Sequence, residues 1–380
     1  MKVMILTSAT GSGHNMRARA LALWAEKERE ASWQVSIHEA LESTHPMYRL
    51  GVETYNVIQR RAPWAHHLYF NFLDLASMHR RAGGILGRQV FQNRVAEERP
   101  DIVLSVHGHT NHGFFDLARS ALPGKRPLCV TYCGEMFGGY GLSRHWINPQ
   151  ADGFIGAVPE ICDAAVRDHG MPEAKTHCGG FLLRPPFYEE PEREEDRAQR
   201  MADLGLDRGR FTLLLSTGDA GANNHLAFLD ALEAARLPLQ VIALCGRNEA
   251  TQKQVHQWAS HQGRAVRVVA LGFQKDMHHL MRSVSAMVAR PGTGATSEAI
   301  LTGCPLIHNG LGGIMPQEWI TVKFCRAHGF QHVIRSPRQL AQTARTWMDN
   351  PDLLASMRRR MASACPSPRP KELLTYLEKL

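Results

Sequence analysis

The chain has 380 residues, 44% hydrophobic and 21% charged, with a formal net charge of +8. That length suits two domains and the composition excludes a disordered chain. No apolar run reaches the ~18 residues of a membrane-spanning helix, and the positive balance admits a nucleic acid, a phosphorylated ligand or an anionic membrane without selecting among them.

Cys129, Cys133, Cys162, Cys178, Cys245, Cys304, Cys325 and Cys365 are scattered without a C-x-x-C pair. They read as reduced thiols of a cytoplasmic protein rather than zinc ligands. The opening "MKVMILTSATGSGH" runs straight into a strand and turn, unlike a cleaved signal peptide.

In chain order, strands are predicted at "KVMILTS", "WQVSIHEA", "DIVLSVHG", "PLCVTYCG", "GFIGAV" and "AKTHCGG", then at "FTLLLSTG", "LQVIALCG", "VRVVALGF", "AMVAR" and "PLIHNG". Their alternation with helical patterns signals α/β architecture with mostly parallel sheets. Domains are predicted at 1–184 and 209–365, joined by a proline-rich, then highly charged linker at 185–208. Residues 366–380 read as an amphipathic helix, either crossing back onto the first domain or lying on the surface.

Residues 42–95 interrupt the pattern with an apolar, basic helical insertion. From Tyr48 to Arg94 it carries Arg49, Arg60, Arg61, Arg80, Arg81, Arg88 and Arg94 against only Glu53 and Asp74. Such a segment packs its apolar stripe on the domain or docks on an anionic bilayer.

Two strand–glycine–helix units carry candidate chemistry. In "ILTSATGSGHNMRARALALW", Gly13 and His14 stand at the helix entry. A histidine there is a solvated or capping residue, or a base whose ordinary pKa near 6.5 suits taking a hydroxyl proton. His107 and His109 close "VLSVHGH" at the carboxyl edge of a strand, where sites concentrate. In the second half, "ARPGTGATSEAILTGCPLIHNGLGGIMPQE" runs from a strand through Gly292, Thr293, Gly294 and Ala295 into a helix expected to start near Ala295 or Thr296. Free N–H groups and the helix dipole there suit a diphosphate. Glu298, expected in the first turn, would cap the helix or bind a ribose diol. Gln317 and Glu318 pair an amide with a carboxylate, which suits sugar hydroxyls.

The order of these pieces resembles the donor-binding signature of GT-B glycosyltransferases that use UDP-sugars, by pattern the monogalactosyldiacylglycerol synthases and bacterial diacylglycerol glycosyltransferases. It is similar, more distantly, to the UDP-GlcNAc transferase of the peptidoglycan lipid precursor. "TGSGHNMRARAL" resembles the family's G-G-G-H turn, with Ser12 replacing a glycine, and "PDIVLSVHGHTNHG" places His107 and His112 on its histidines. "CGGFLLRPPF" and "ALCGRNEATQKQV" agree in the same order.

The resemblance implies two Rossmann-like domains facing across a cleft. The donor diphosphate would lie on Gly292–Ala295, with Thr217 and Gly218 opposite and Gly13 close by. Glu298 would hold the ribose, Gln317 and Glu318 the sugar, Phe273 and Met277 the uracil, and Arg247 would add charge near the diphosphate. His14 would be the base; His107 and Glu135, the latter where the family usually has an aspartate, would assist it, with His109 and His112 on the acceptor side. No D-x-D occurs, so a metal-independent, inverting transfer is expected, with the helix start stabilising the departing UDP.

The expected partners are a UDP-sugar, a lipid or other hydroxyl acceptor and an anionic membrane surface, with no nucleic acid, metal or other cofactor, in a protein on the inner face of the cell membrane. The rival readings are a UDP-sugar 2-epimerase of the same fold, a transferase acting on a soluble natural product, a non-catalytic sugar-nucleotide-binding protein and, more weakly, an NAD-dependent dehydrogenase, for which G-S-G-H lacks the third glycine of G-x-G-x-x-G.

Overall fold

Short apolar runs rich in Val, Ile and Leu form strands buried on both faces, the pattern of parallel sheets covered by helices. The computed structural model describes residues 1–11, 13–61, 66–75, 80–216 and 224–380. Two compact units result, one of residues 1–185, 315–321 and 366–380 and the other of residues 186–314 and 322–365.

The first unit is built on six parallel strands: β1 (Lys2–Thr7), β2 (Gln34–Glu39), β3 (Ile102–Ser105), β4 (Leu128–Cys133), β5 (Gly153–Gly156) and β6 (Thr176–Cys178), in the order β2-β1-β3-β4-β5-β6. Met4, Leu6 and Val103 pack with Phe91, Phe114 and Phe115 in a core on one face of this sheet. The chain leaves β1 toward β2 and returns on the other side at β3, so the strand order reverses between β1 and β3. Crevices at such reversals, outside the carboxyl ends of the strands, are where open α/β sheets bind ligands.

The insertion forms the helices Ala40–Thr44, Pro46–Arg61, His66–Leu75 and Arg88–Glu98. Tyr48, Ile85, Phe91 and Val95 join the core, so part of its apolar stripe packs on the domain. The C-terminal helix Pro370–Lys379 also lies on this unit. Glu378 accepts from the Arg29 guanidinium at 2.7 Å, and Tyr376 stacks on His177 at 4.0 Å. Gly180 has φ +73°, and a side chain there would collide with the Pro368 carbonyl, so only glycine lets the tail pass so close.

The second unit repeats the architecture with β7 (Thr212–Ser216), β8 (Gln240–Leu244), β9 (Arg267–Leu271), β10 (Ala286–Ala289), β11 (Leu306–Asn309) and β12 (Val333–Ile334), in the order β12-β11-β10-β7-β8-β9. Here the order reverses between β7 and β10. Eleven of these twelve strands coincide with the apolar runs of the sequence; β12, only two residues long, carries no pattern to read. Among the described residues no helix is long and apolar enough to cross a membrane.

Candidate active site

In the first unit, adjacent β1, β3 and β4 deliver their following loops to one place. Thr10 and His14 come from the first, His107 and His109 from the second, and Glu135 from the third. Together with Tyr55, Phe70, Trp146 and Gln317 these residues line a cavity of about 110 Å³.

Gly13 opens the helix Gly13–Arg29, which presents His14 in its first turn. Its Nδ1 lies 2.9 Å from the Val106 carbonyl oxygen, which can only accept, so Nδ1 carries the proton and Nε2 keeps its lone pair. Burial, reinforced by the Arg17 charge and opposed by the Val106 bond, pushes the His14 pKa down to about 3. The imidazole is therefore neutral at physiological pH.

His107 is 4% exposed and crosses His14 edge-on, with ring centroids 4.6 Å apart. Its Nδ1 accepts from the His109 backbone N–H at 3.3 Å, which leaves Nε2–H to donate to Thr10 Oγ1 at 2.8 Å. With both ring nitrogens tied to the protein, His107 buttresses His14 and fixes the loop after β1. His109 continues the row, 4.7 Å from His145 between ring centroids. His112 lies beyond, at the start of the helix Gly113–Ala121, and is not part of the cavity wall. Burial, with Arg80 and His145 adding to it, lowers its pKa to about 4. Glu135 makes no hydrogen bond to a histidine; its carboxyl lines the cavity beside Arg17, whose guanidinium donates to the Gly134 carbonyl at 3.0 Å.

The Gln317–Glu318 pair separates in role. Gln317 Nε2 donates to Tyr55 Oη at 3.1 Å and joins the cavity of the first unit. Glu318 is 4% exposed and accepts from the Met315 backbone N–H at 2.9 Å, capping the helix Pro316–Ala327. Tyr55, Phe70 and Trp146 were not singled out in the sequence; the first two lie in the insertion, where their pattern reads as helix surface.

In the second unit, Gly292 is extended (φ −81°, ψ 145°) and caps the helix Thr293–Thr302. This start is two residues earlier than the sequence suggested, because Thr293 and Gly294 already have helical geometry. Glu298 consequently falls in the second turn, out of reach of the helix cap, and the first turn holds no acidic group to repel an anion. Among the described residues a Cβ on Gly292 or Gly294 would meet nothing within 4 Å. Backbone N–H groups at this helix start suit a diphosphate. Ala295 follows in the same first turn. Arg290, absent from the sequence reading, donates to the carbonyls of Leu311 at 3.0 Å and Gly313 at 2.8 Å, which orders the neighbouring glycine loop.

Arg247 lies 5.3 Å over the ring of Phe273, which is 52% exposed, and Met277 begins the helix Met277–Ser283 four residues later. The exposed aromatic face and its cation form a flat platform after β8 and β9. Ser12, Thr217 and Gly218 lie outside the described residues. Among the described residues no group of three or more His, Cys, Asp or Glu side chains could hold a metal ion.

Residues 217–308 match the Glycosyltransferase family 28 C-terminal domain. Monogalactosyldiacylglycerol synthase 1 of Arabidopsis thaliana is 24% identical over 91% of this chain, which spans only 64% of that relative's length. The processive diacylglycerol beta-glucosyltransferase of Staphylococcus carnosus is 21% identical over 95% of this chain and 88% of its own. Acinetobacter baumannii MurG superposes with a TM-score of 0.64 at 16% identity, covering 100% of this chain and 99% of its own. Anabaena HepE in complex with UDP and glucose gives 0.55 at 14%, covering both chains fully. Two parallel-sheet, Rossmann-like units of this kind define the GT-B fold. Residues 217–308 of the second unit match the family 28 C-terminal domain, and the chain as a whole is similar to these glycosyltransferases.

Proposed function

We propose that the protein transfers a hexosyl group from a UDP-sugar to a hydroxyl of a lipid acceptor, with inversion at the anomeric carbon and without a metal. The observation that carries this reading is the placement of His14: oriented by the Val106 carbonyl at Nδ1, with the Nε2 lone pair at the wall of a cavity. In the reaction the acceptor O–H gives its proton to Nε2 and the oxygen bonds to the anomeric carbon from the face opposite the diphosphate. The bond from that carbon to the diphosphate breaks, and its electron pair stays on the β-phosphate oxygen. The N–H groups at Gly292–Ala295 meet the charge that develops there.

The second unit recognises the donor. Phe273 and Arg247 stack on the base, and Glu298 accepts from the ribose hydroxyls. Replacing Glu298 with alanine is expected to weaken UDP binding about 10- to 100-fold, the worth of hydrogen bonds to a charged group. Titration calorimetry reads this directly, and an unchanged UDP affinity removes the ribose role.

A lipid acceptor fits the exposed side of the insertion, and the names of the lipid-glycosylating relatives support it. Met47, Leu50 and Val57 fall on one exposed stripe of the helix Pro46–Arg61, and Leu68 in the next helix is 73% exposed. Exposed Arg49 stands beside them, so apolar insertion and attraction to anionic lipid act together at the inner face of the cell membrane. In co-sedimentation, Leu50→Glu combined with Leu68→Glu is expected to abolish most binding to vesicles containing phosphatidylglycerol. Equal binding by both proteins, or equal binding to neutral vesicles, contradicts membrane docking.

A further inference from the structure

The proposed reaction leaves Glu135 without a role. It follows β4, is 8% exposed, and is one of the residues lining the cavity that His14 also lines. Among the described residues none donates a hydrogen bond to its carboxyl; the nearby Arg17 influences it only through its charge. Burial raises its pKa to about 7, so the carboxylate and the acid are both populated at neutral pH. A buried carboxyl without a partner is unfavourable by the full desolvation of that group, and a protein retains one where a ligand completes it.

The other walls narrow the ligand. Among the described residues no lysine or arginine lines the cavity; of its four histidines His14 and His66 are held neutral by burial and His107 accepts a backbone N–H at Nδ1, so these three carry no charge to compensate a phosphate or carboxylate. Its volume of about 110 Å³ holds a group of a few heavy atoms. One acceptor hydroxyl is engaged by His14 Nε2. A second, on a neighbouring carbon, is the donor that Glu135 lacks.

We propose that Glu135 selects an uncharged acceptor with a second hydroxyl beside the one that is glycosylated, a glycerol or sugar diol, over an acceptor with a single hydroxyl such as diacylglycerol. This rests on the transferase reading and names the acceptor chemistry of that site. Glu135 takes the hydrogen bond of the second hydroxyl, fixes the rotation of the headgroup and so aims the first hydroxyl at His14. An anionic headgroup is rejected by the carboxylate itself.

The test compares matched acceptors in one detergent with the full chain and UDP-glucose or UDP-galactose. These are 1-oleoylglycerol, which is a diol; 3-hydroxypropyl oleate, its analogue without the second hydroxyl; dioleoylglycerol; and 1-oleoylglycerol 3-phosphate. Free glycerol distinguishes a soluble from a lipid source of the diol. The wild-type kcat/KM is expected to favour the diol over its deoxy analogue by about 10- to 100-fold, the worth of one hydrogen bond to a charged group, with the phosphate poorest. Glu135→Ala should bring that ratio below about 3-fold, mainly through KM for the diol. Glu135→Gln, which keeps the shape and a hydrogen-bond acceptor, should retain part of the preference while admitting the phosphate. Transfer without a diol preference, or a preference that survives Glu135→Ala, overturns the assignment of Glu135 alone. UDP binding with no transfer to any acceptor overturns the transferase reading and this inference with it.

Discussion

Replacing His14 with alanine is expected to lower kcat by about 10²- to 10⁴-fold, the range that a positioned general base supplies. UDP affinity should stay within about twofold, because the residues proposed to bind the UDP moiety (Arg247, Phe273, Gly292–Ala295 and Glu298) lie in the second unit. The expectation follows from the tautomer. The Val106 carbonyl fixes the proton on Nδ1, and the edge-on His107 holds the ring, so Nε2 is the basic atom of the His14 ring presented to the cavity. Because the His14 pKa lies at about 3, its own protonation should not limit the rate anywhere between pH 5 and 9. An acid limb near pH 7 belongs instead to Glu135 and should disappear in Glu135→Gln. His14→Ala turnover within a few-fold of wild type, measured with saturating UDP-sugar, removes the base assignment.

Acidification from pH 7.5 to pH 5 is expected to cost the fold about 6 kcal/mol. His14, His66, His112 and His308 have pKa values pushed down to about 3, 4, 4 and 3, with burial the largest cause in each case. The unfolded chain takes up protons at these positions below pH 6.5, while the folded chain stays neutral until the pH falls to those lower values. Their stabilising contribution is therefore whole above pH 6.5 and shrinks as the pH drops. At pH 5 each histidine has lost about 2 kcal/mol, and Glu135, whose pKa is raised to about 7, returns about 2 kcal/mol over the same range. That sum is comparable with the whole stability of many domains. His14, His66 and His112 belong to the first unit and His308 to the second, so with the Glu135 offset subtracted the first unit should lose about twice as much. Thermal unfolding at the two pH values reads this; an unchanged melting temperature contradicts it.

The fold was largely legible because its strands are short Val, Ile and Leu runs closed by glycine turns. Two details were not. The strand Val333–Ile334 is too short to show a period, and the helix after Gly292 begins at Thr293 because flexible glycine geometry near a helix start is not encoded in an apolar pattern. In the site, the positions of His14, His107 and Glu135 at the carboxyl ends of adjacent strands follow from strand order, which a sequence without tertiary contacts does not state. Gln317 could not be placed from spacing alone. Its sequence neighbourhood belongs with the glycine loop, but its amide is bonded to Tyr55, a residue 262 positions away. Glu318 reads as a sugar ligand in the motif and serves as a helix cap in the fold.

The most direct test of the central claim is product analysis with UDP-glucose and UDP-galactose, each incubated with and without a hydroxyl-bearing lipid, in the presence of EDTA. The account predicts UDP release coupled one-to-one to a glycosylated lipid with the β-anomeric configuration, dependent on His14 and undiminished by the chelator. Conversion of the UDP-sugar to its C2 epimer without consumption of acceptor, or binding of UDP with no turnover at all, would contradict it.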